Sequence, residues 1–481
     1  MTADVIVVGA GAAGLAAASA LTRDGAKVTV LERKPSVGGR AYSYDHPALG
    51  EVVDCQHVLL GCCTNLVHLL AGAGASDTVR WYSELTFLEP AGQRVSKSAS
   101  QRGSESAGQW EKATQGRVSC IRPGALPPPF HSTASFLAAP MLGLADKASI
   151  ARGLMEFMRG YPQDDSESVE TWLARTKQTP RAIRHFWEPV LVGALNDSFA
   201  RCSLKYAGQV FYESFLKTAE GGRLGIPRVP LSEMFGAIAE SVQAGGAEIV
   251  LRASVDRIAQ QADGWLVNAG GVAYRAKSLV LALPFEQMQR LLPQLPEDDA
   301  RAALQARLAN FVHAPITTVH LWWDRAVTDL DHAVLLDTGI QWIFNKSKIR
   351  AWPQERGHYV ELVISASSAE LYQERDEIVQ NAVRELAMFF PHVREAKLLK
   401  SGVLKEARAT FSVLPGLDAS RPQAKTAWPG LYLAGDWTQT GWPSTMEGGV
   451  RSGYLAAEAV AGKRFLQPDL PATGLMHMLS R

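Results

Sequence analysis

Val5-Ile6-Val7-Val8-Gly9-Ala10-Gly11-Ala12-Ala13-Gly14 stands near the start of a 481-residue chain. Its four apolar residues, mostly β-branched, read as a short strand buried on both faces of a parallel sheet. The next six spell G-x-G-x-x-G, and Ala- and Leu-rich sequence then runs at helical spacing to about Arg23. After Gly25, Val28-Thr29-Val30-Leu31 reads as a second strand ending at Glu32. Strand, turn, helix and strand are the context the glycine pattern needs to bind a dinucleotide. Gly9, Gly11 and Gly14 allow a tight turn and close backbone approach, and Ala13 lies with them at a helix N-terminus that favours phosphate. Glu32 lies 18 residues after Gly14, the right distance for an acid that accepts hydrogen bonds from a ribose diol. A tight turn alone would leave that spacing unexplained.

Composition narrows the class further. Lys and Arg number 49 against 48 Asp and Glu, a net charge of +1, with 47% hydrophobic and 20% charged residues. A nucleic-acid binder usually carries a basic excess, and a disordered chain is less apolar. No uninterrupted apolar run reaches the roughly 18 residues that mark a spanning helix. Met1-Thr2-Ala3-Asp4 lacks the basic, then apolar, pattern of a secretory leader. Cys55, Cys62, Cys63, Cys120 and Cys202 show no zinc-like or C-x-x-C spacing, so reduced thiols, a cytoplasmic location and no metal site are predicted. A globular enzyme is the class that remains.

Immediately after Glu32 come Arg33-Lys34-Pro35-Ser36-Val37-Gly38-Gly39-Arg40. This run resembles the FAD-binding signature of the amine-oxidase and phytoene-desaturase superfamily. Gly38-Gly39 admits close backbone approach, and Arg40 offers a planar charged fork to phosphate. Near the other end, Gly430–Asp436 reads as a buried strand running into Gly435-Asp436. The resemblance implies that Asp436 accepts hydrogen bonds from the cofactor. Gly441–Gly453 then opens a helix through about Ala461, with Pro443 and Thr445 suited to its start. Glu447, in its first turn, is read as a cofactor-side acid with dipole compensation as the plainer role.

Gly246–Leu251, Val255–Ile258, Gly264–Val267 and Ser278–Pro284 read as further strands. They resemble the superfamily's small three-stranded excursion, which implies that the Val255 backbone touches adenine. The expected fold is α/β: a Rossmann-like FAD-binding domain, with a parallel sheet plus that excursion, joined to an α+β substrate domain of amine-oxidase/phytoene-desaturase type. The FAD domain is predicted from residues 1–65, 221–285 and 406–481, and the substrate domain from 66–220 and 286–405. Residues 92–121, rich in Ser, Gly, Gln and charge, read as a flexible insertion.

Within that superfamily the chain resembles the squalene-associated FAD-dependent desaturases, the hydroxysqualene dehydroxylases of bacterial squalene and hopanoid synthesis. The residues that carry this are Gly50–Asn65 with Gln56-His57-Val58, Phe186-Trp187-Glu188-Pro189, Ala194-Leu195-Asn196, Gln341–Asn345, Arg408–Phe411, Pro415-Gly416 and Thr440–Gly448. One residue, Cys55, separates Asp54 from Gln56, whereas the family pattern has two; this departure bears on how Asp54 and His57 sit.

The resemblance implies reductive replacement of an allylic hydroxyl of hydroxysqualene by hydrogen, with reduced FAD as hydride source. It implies cofactor contacts from Arg33, His57, Val58, Met446 and Trp442. Departure of hydroxide needs an acid or hydrogen-bond donor, and His57 is the candidate because its pKa lies closest to neutrality. Gln56 and Trp442 are expected to position groups beside the ring, and Asn196 is a further candidate that could instead cap a turn. The predicted partners are a hydrophobic C30 isoprenoid and an external electron donor, since no second G-x-G-x-x-G follows a strand. Phe136–Ala145 and Leu154–Arg159 are apolar with basic flanks, and read either as core helices or as contact with the inner membrane face. Other readings are a desaturase or saturase of another long polyene, an amine oxidase, or a flavin-stabilised scaffold without turnover.

Overall fold

The opening apolar run grows into strand Thr2–Val8, flanked on both sides by parallel neighbours. In this computed structural model, residues 1–90, 116–350 and 352–479 are described. Strand Val28–Leu31 lies against one edge of Thr2–Val8, with Val5 opposite Val28, and strand Val272–Ala282 lies against the other. Every residue of Val28–Leu31 is buried, as a continuous apolar run between helices should be.

Strand Val272–Ala282 joins the parallel and antiparallel parts of one seven-stranded sheet. Its second half runs parallel to Thr2–Val8 and to Leu431–Ala434, while its first half pairs antiparallel with Gly264–Ala269. Val255–Gln261 completes the excursion. Glu248–Val250 does not belong to that excursion, as the sequence suggested. It adds a parallel strand outside Val28–Leu31, since its short run follows a helix and faces the same layer.

Helix Ala12–Arg23 packs on helix Met446–Ala461, which are more than 400 residues apart in the chain. The contact is a seam of small residues. A Cβ added at Gly453 would stand 2.1 Å from the Ala13 carbonyl oxygen and 2.8 Å from the Ala16 Cβ. Only a glycine admits backbone this close.

The second sheet has the order Leu398–Phe411, His313–Trp323, His358–Ser365, Trp342–Asn345, His332–Leu335, Leu85–Glu89, Arg117–Ile121. Two sequence expectations change here. Residues 117–121 are a strand paired with Leu85–Glu89 rather than part of an insertion; alternating Val118 and Cys120 suit a half-buried strand. The remainder of the proposed insertion, 92–115, lies outside the described residues. Strand Leu398–Phe411 also continues past residue 405, because its pairing with His313–Trp323 runs unbroken in direction to His313 opposite Phe411.

All five cysteines are free thiols. No helix among the described residues is long and apolar enough to cross a membrane.

Gly453→Val should force the two helices apart and cost about 1–3 kcal/mol as an overpacked interior substitution. Thermal denaturation of the purified chain reads this directly; an unchanged midpoint would mean that the seam is not tight.

Candidate functional site

Gly9 has φ of +102°, and a Cβ there would lie 2.4 Å from the Ala282 carbonyl oxygen. A Cβ on Gly14 would collide with the Gly9 carbonyl at 1.8 Å. The first and third glycines of the motif therefore shape the turn. Gly11 acts differently: it faces Gly39 across an isolated parallel bridge, Gly11 to Gly38. Gly38 and Gly39 have φ of +103° and +66°, which returns the chain over the helix start. No side chain caps helix Ala12–Arg23 and no acid sits in its first turn. Its free N–H groups and positive dipole end are left for an anion.

Glu32 is buried at the end of its strand. Its carboxylate accepts from the Ala10 N–H and the Lys34 N–H, each at 2.8 Å. One N–H on each oxygen leaves a lone pair per oxygen, enough for two ribose hydroxyls. Arg33 is exposed and Val255 is partly buried at the start of its strand.

Arg40 and Asp436 meet from opposite ends of the chain. The Arg40 guanidinium pairs with Asp436 Oδ1 at 2.6 Å, and Ser444 donates to Oδ2 at 2.6 Å. Gly435, at φ +148°, brings Asp436 out of strand Leu431–Ala434. Thr445 caps helix Met446–Ala461 by accepting from the Gly448 N–H at 3.0 Å, as its position suggested. Met446 is the first, partly buried residue of that helix. Trp442 is buried with the Arg451 guanidinium over its ring at 5.4 Å. The glycine cradle, the Glu32 acceptor pair, the uncapped helix start and the Arg40–Asp436 junction together fit a dinucleotide built on an adenosine diphosphate.

Three expectations change at this level. Glu447 is fully buried and caps another helix, not its own. It accepts from the Asn65 amide side chain at 2.9 Å and from the Leu66 N–H at 2.8 Å, tying helix Thr64–Gly72 to the C-terminal helix. Burial pushes its carboxyl above the usual range, and those donors offset only part of that. Asn196 is likewise engaged: its amide donates to the Ala314 carbonyl and Thr410 Oγ1 and accepts from the Ala366 N–H. It ends helix Glu188–Leu195 in the left-handed conformation, at φ +57°, so it is a turn cap.

The third change concerns His57. Its Nδ1 lies 2.7 Å from the Cys55 carbonyl oxygen. A carbonyl only accepts, so Nδ1 carries the proton. Burial lowers the imidazole pKa below its ordinary 6.5, beyond what the Cys55 hydrogen bond and Asp54 restore. Burial therefore favours the neutral ring, in which Nε2 presents a lone pair. The neutral ring would offer an acceptor at Nε2, whereas the sequence suggested an acid or hydrogen-bond donor. Val58 beside it is 39% exposed.

Sequence reasoning missed what lies beneath this segment. Lys346, Asp54 and Glu361 have fully buried side chains, and Arg350 nearly so. Lys346 Nζ sits 2.8 Å from Glu361 Oε2 and 3.3 Å from Asp54 Oδ1, and also donates to Gln56 Oε1. Arg350 holds Asp54 Oδ2 at 2.6 Å, joined by the Ser43 hydroxyl at 2.8 Å. Glu361 in turn accepts from the Gln56 N–H at 2.7 Å. Burial would raise the Asp54 carboxyl, but Lys346, Arg350 and Ser43 overcome it and hold Asp54 far below the carboxylate range. Burial raises Glu361, with the Asp54 charge adding to it, and Lys346 and Arg350 offset only part of the rise. With its oxygen fixed by Lys346, the Gln56 amide donates to the His57 carbonyl at 2.6 Å. The one signal was a lone acid inside an apolar strand, Tyr359-Val360-Glu361-Leu362-Val363-Ile364.

Beyond the Trp442 loop lies an apolar chamber. Phe136, Leu154, Phe186, Phe211, Phe215 and Leu216 are among the residues that line it, and no charged side chain does. Phe186 and Phe211 stack at 5.6 Å. Helix Leu204–Phe211 links the chamber to the loop, since its Gln209 donates to the Gly441 carbonyl at 2.9 Å.

Comparison with known proteins agrees with this frame. The profile of the family described as flavin containing amine oxidoreductase matches residues 12–461. The chain is 24% identical to a chloroplastic/chromoplastic 15-cis-phytoene desaturase of Solanum lycopersicum, over 95% of this chain and 77% of the relative. It is 24% identical to the 15-cis-phytoene desaturase of Synechococcus elongatus, over 96% of each. Among solved structures, an oxidoreductase from Methanosarcina mazei aligns with a TM-score of 0.69 at 16% identity, covering 96% of this chain and 100% of that one. The last similarity speaks to the fold alone.

Three substitutions test the site's construction. Glu32→Ala should weaken FAD retention about tenfold or more, read from flavin absorbance after gel filtration, because it removes charge-assisted hydrogen bonds. Lys346→Met should destabilise the fold by about 3–5 kcal/mol by stranding buried carboxylates. Glu361→Gln, which keeps an acceptor for Gln56, should cost clearly less in the same denaturation assay.

Proposed function

The chain belongs to the flavin-containing amine oxidoreductase family and is an FAD-dependent oxidoreductase, and on that basis we propose that it reductively dehydroxylates hydroxysqualene to squalene. The observation that carries the apolar-substrate half of this reading is the chamber. It is walled mainly by aromatic and aliphatic side chains, with Ser132 and Thr133 and no charge among them, and the helix that carries its Phe211 donates through Gln209 to the Gly441 carbonyl. The chamber, about 110 Å³, takes only part of a long hydrocarbon, and apolar area removed from water there contributes roughly 25 cal/mol per Å². A cationic amine would have no counter-charge in it.

The hydroxysqualene half rests on the resemblance of the Gln56-His57-Val58 and Thr440-Gly441-Trp442-Pro443 segments. Bound FAD in its reduced form supplies hydride chemistry at carbon. The protein's own residues have other tasks. The ionic cluster holds Gln56, and Gln56 and the Cys55 carbonyl hold His57, which leaves the Nε2 lone pair for the substrate. That lone pair accepts from the substrate's allylic hydroxyl and orients it. Protonating the departing oxygen requires imidazolium, which burial disfavours, so acid assistance grows only as pH falls. The apolar walls exclude water that would capture an allylic cation. A separate reductant must supply the electrons.

A second reading is oxidative: desaturation of a long polyene. It is favoured by the phytoene desaturases among the relatives and by the neutral His57, which as a base could take the proton that leaves carbon. The two readings differ in sign. If His57 assists as an acid, turnover rises as pH falls through a pKa below 6.5; if it acts as a base, turnover falls over the same window.

Anaerobic, dithionite-reduced protein mixed with hydroxysqualene should form squalene as the flavin band returns. Absence of squalene, with the oxidised protein desaturating phytoene, would replace the first reading by the second. His57→Ala should slow the productive reaction by about tenfold or more, and an unchanged rate would remove His57 from it.

A further inference from the structure

Helix Leu144–Glu156 is apolar on two sides. Ile150 is in the core and Leu154 lines the chamber, whereas Leu144, Ala145, Ala148, Ala151 and Met155 face outward. Leu144 is 84% and Met155 64% exposed. Helix Thr133–Ala138 repeats the pattern: Phe136 lines the chamber, while Leu137 on the same helix is 56% exposed. Phe130, just before it, is exposed as well. The C-terminal segment lies on this region, with the Leu475 N–H donating to the Pro128 carbonyl at 3.0 Å, and adds exposed Leu475 and Met478. Of the 14 large hydrophobic residues exposed among the described residues, seven fall in 126–155 and 475–478. Scattered exposure is ordinary, but concentration in one patch marks a surface that something covers.

Charge identifies the cover. Residues 117–160 contain five Lys or Arg and two acids, an excess of three in a chain whose total is +1. Asp146 is buried in the cap of helix Leu144–Glu156, and Glu156 is engaged by Arg175 and the Trp172 indole. Lys147, Arg152 and Arg159 stand on or beside the apolar face. A second copy would bring like charge onto like charge. Anionic headgroups over an acyl layer complement both features.

We propose that this face, carried by Phe130, Leu137, Leu144, Met155 and the 475–478 segment, docks on an anionic bilayer surface, with the side chains at the headgroup–acyl boundary. The same two helices that line the chamber then lie against lipid, the source of an apolar substrate. The purpose rests on the apolar-substrate reading, but the docking itself does not.

The test is flotation of the full-length chain with vesicles of phosphatidylcholine, with and without phosphatidylglycerol, and needs no substrate. The chain should float with the anionic vesicles and far less with the neutral ones. Leu144→Glu with Met155→Glu should cut the bound fraction more than tenfold by removing buried apolar area. Arg159→Glu should weaken it by about fivefold or more, at roughly 1 kcal/mol per charge near the surface. These side chains are exposed, so an unchanged thermal midpoint accompanies the loss. A wild-type chain that stays unbound to both vesicle types overturns the proposal. So does a wild-type dimer in light scattering that the Leu144/Met155 variant converts to monomer, which would assign the face to a second copy. Flotation without squalene formation would retire the proposed reaction and leave the docking intact.

Discussion

Backbone contact between two helices at opposite ends of the chain is what the rest of this structure depends on. Helix Ala12–Arg23 begins at the glycine turn, and helix Met446–Ala461 begins just beyond the Trp442 loop. They touch through Gly449 and Gly453 against Ala12, Ala13 and Ala16. Dispersion and close packing at such short range are available only where side chains are absent or are single methyl groups. Once those helices are in register, Arg40 reaches Asp436, Gly435 donates to Ser452, and the two halves of the nucleotide crevice face each other. Glu447 adds a third helix to the same joint by accepting the Asn65 and Leu66 donors.

A different kind of constraint shapes the segment around His57. Four buried charged groups, two of each sign, lie behind a short irregular segment from Asp54 to Val58. Buried charge of this kind contributes little net stability, because desolvation offsets most of the Coulomb gain. Its effect is geometric: with every partner fixed, the Gln56 amide has one orientation, and His57 one tautomer. That bears on how the imidazole works. Desolvation favours the neutral ring and the Cys55 carbonyl fixes the proton on Nδ1, whereas the ordinary pKa alone suggested a proton donor.

Legibility in the sequence followed the range of the interactions. Strands Thr2–Val8 and Val28–Leu31, the glycine turn and Glu32 are encoded within a few dozen consecutive residues, and all were readable. So was the Thr445 cap, a contact over three residues. Glu248–Val250 was seen as a strand but misassigned to a sheet, because strand propensity carries no information about the neighbour. Glu447 and Asn196 were read as cofactor or catalytic groups since a polar residue in a suggestive segment gives no sign of which distant donors will occupy it. Lys346 directly follows the Gln341–Asn345 segment, and nothing local marks it as a buried charge.

The linear sequence determined by itself the presence of a dinucleotide-binding α/β layer, because its turn, helix start and acid are set by local backbone geometry and fixed spacing. It also marked the far C-terminal helix, through cap chemistry that operates within one turn. Only the tertiary structure decided that Glu447 is an internal tie, that the His57 ring is buried with Nδ1 on the Cys55 carbonyl, and that an apolar helix shows one face to the chamber and the other to the outside. Those outcomes depend on partners hundreds of residues away and on burial. Both are properties of the packed chain, and neither is carried by any single stretch of it.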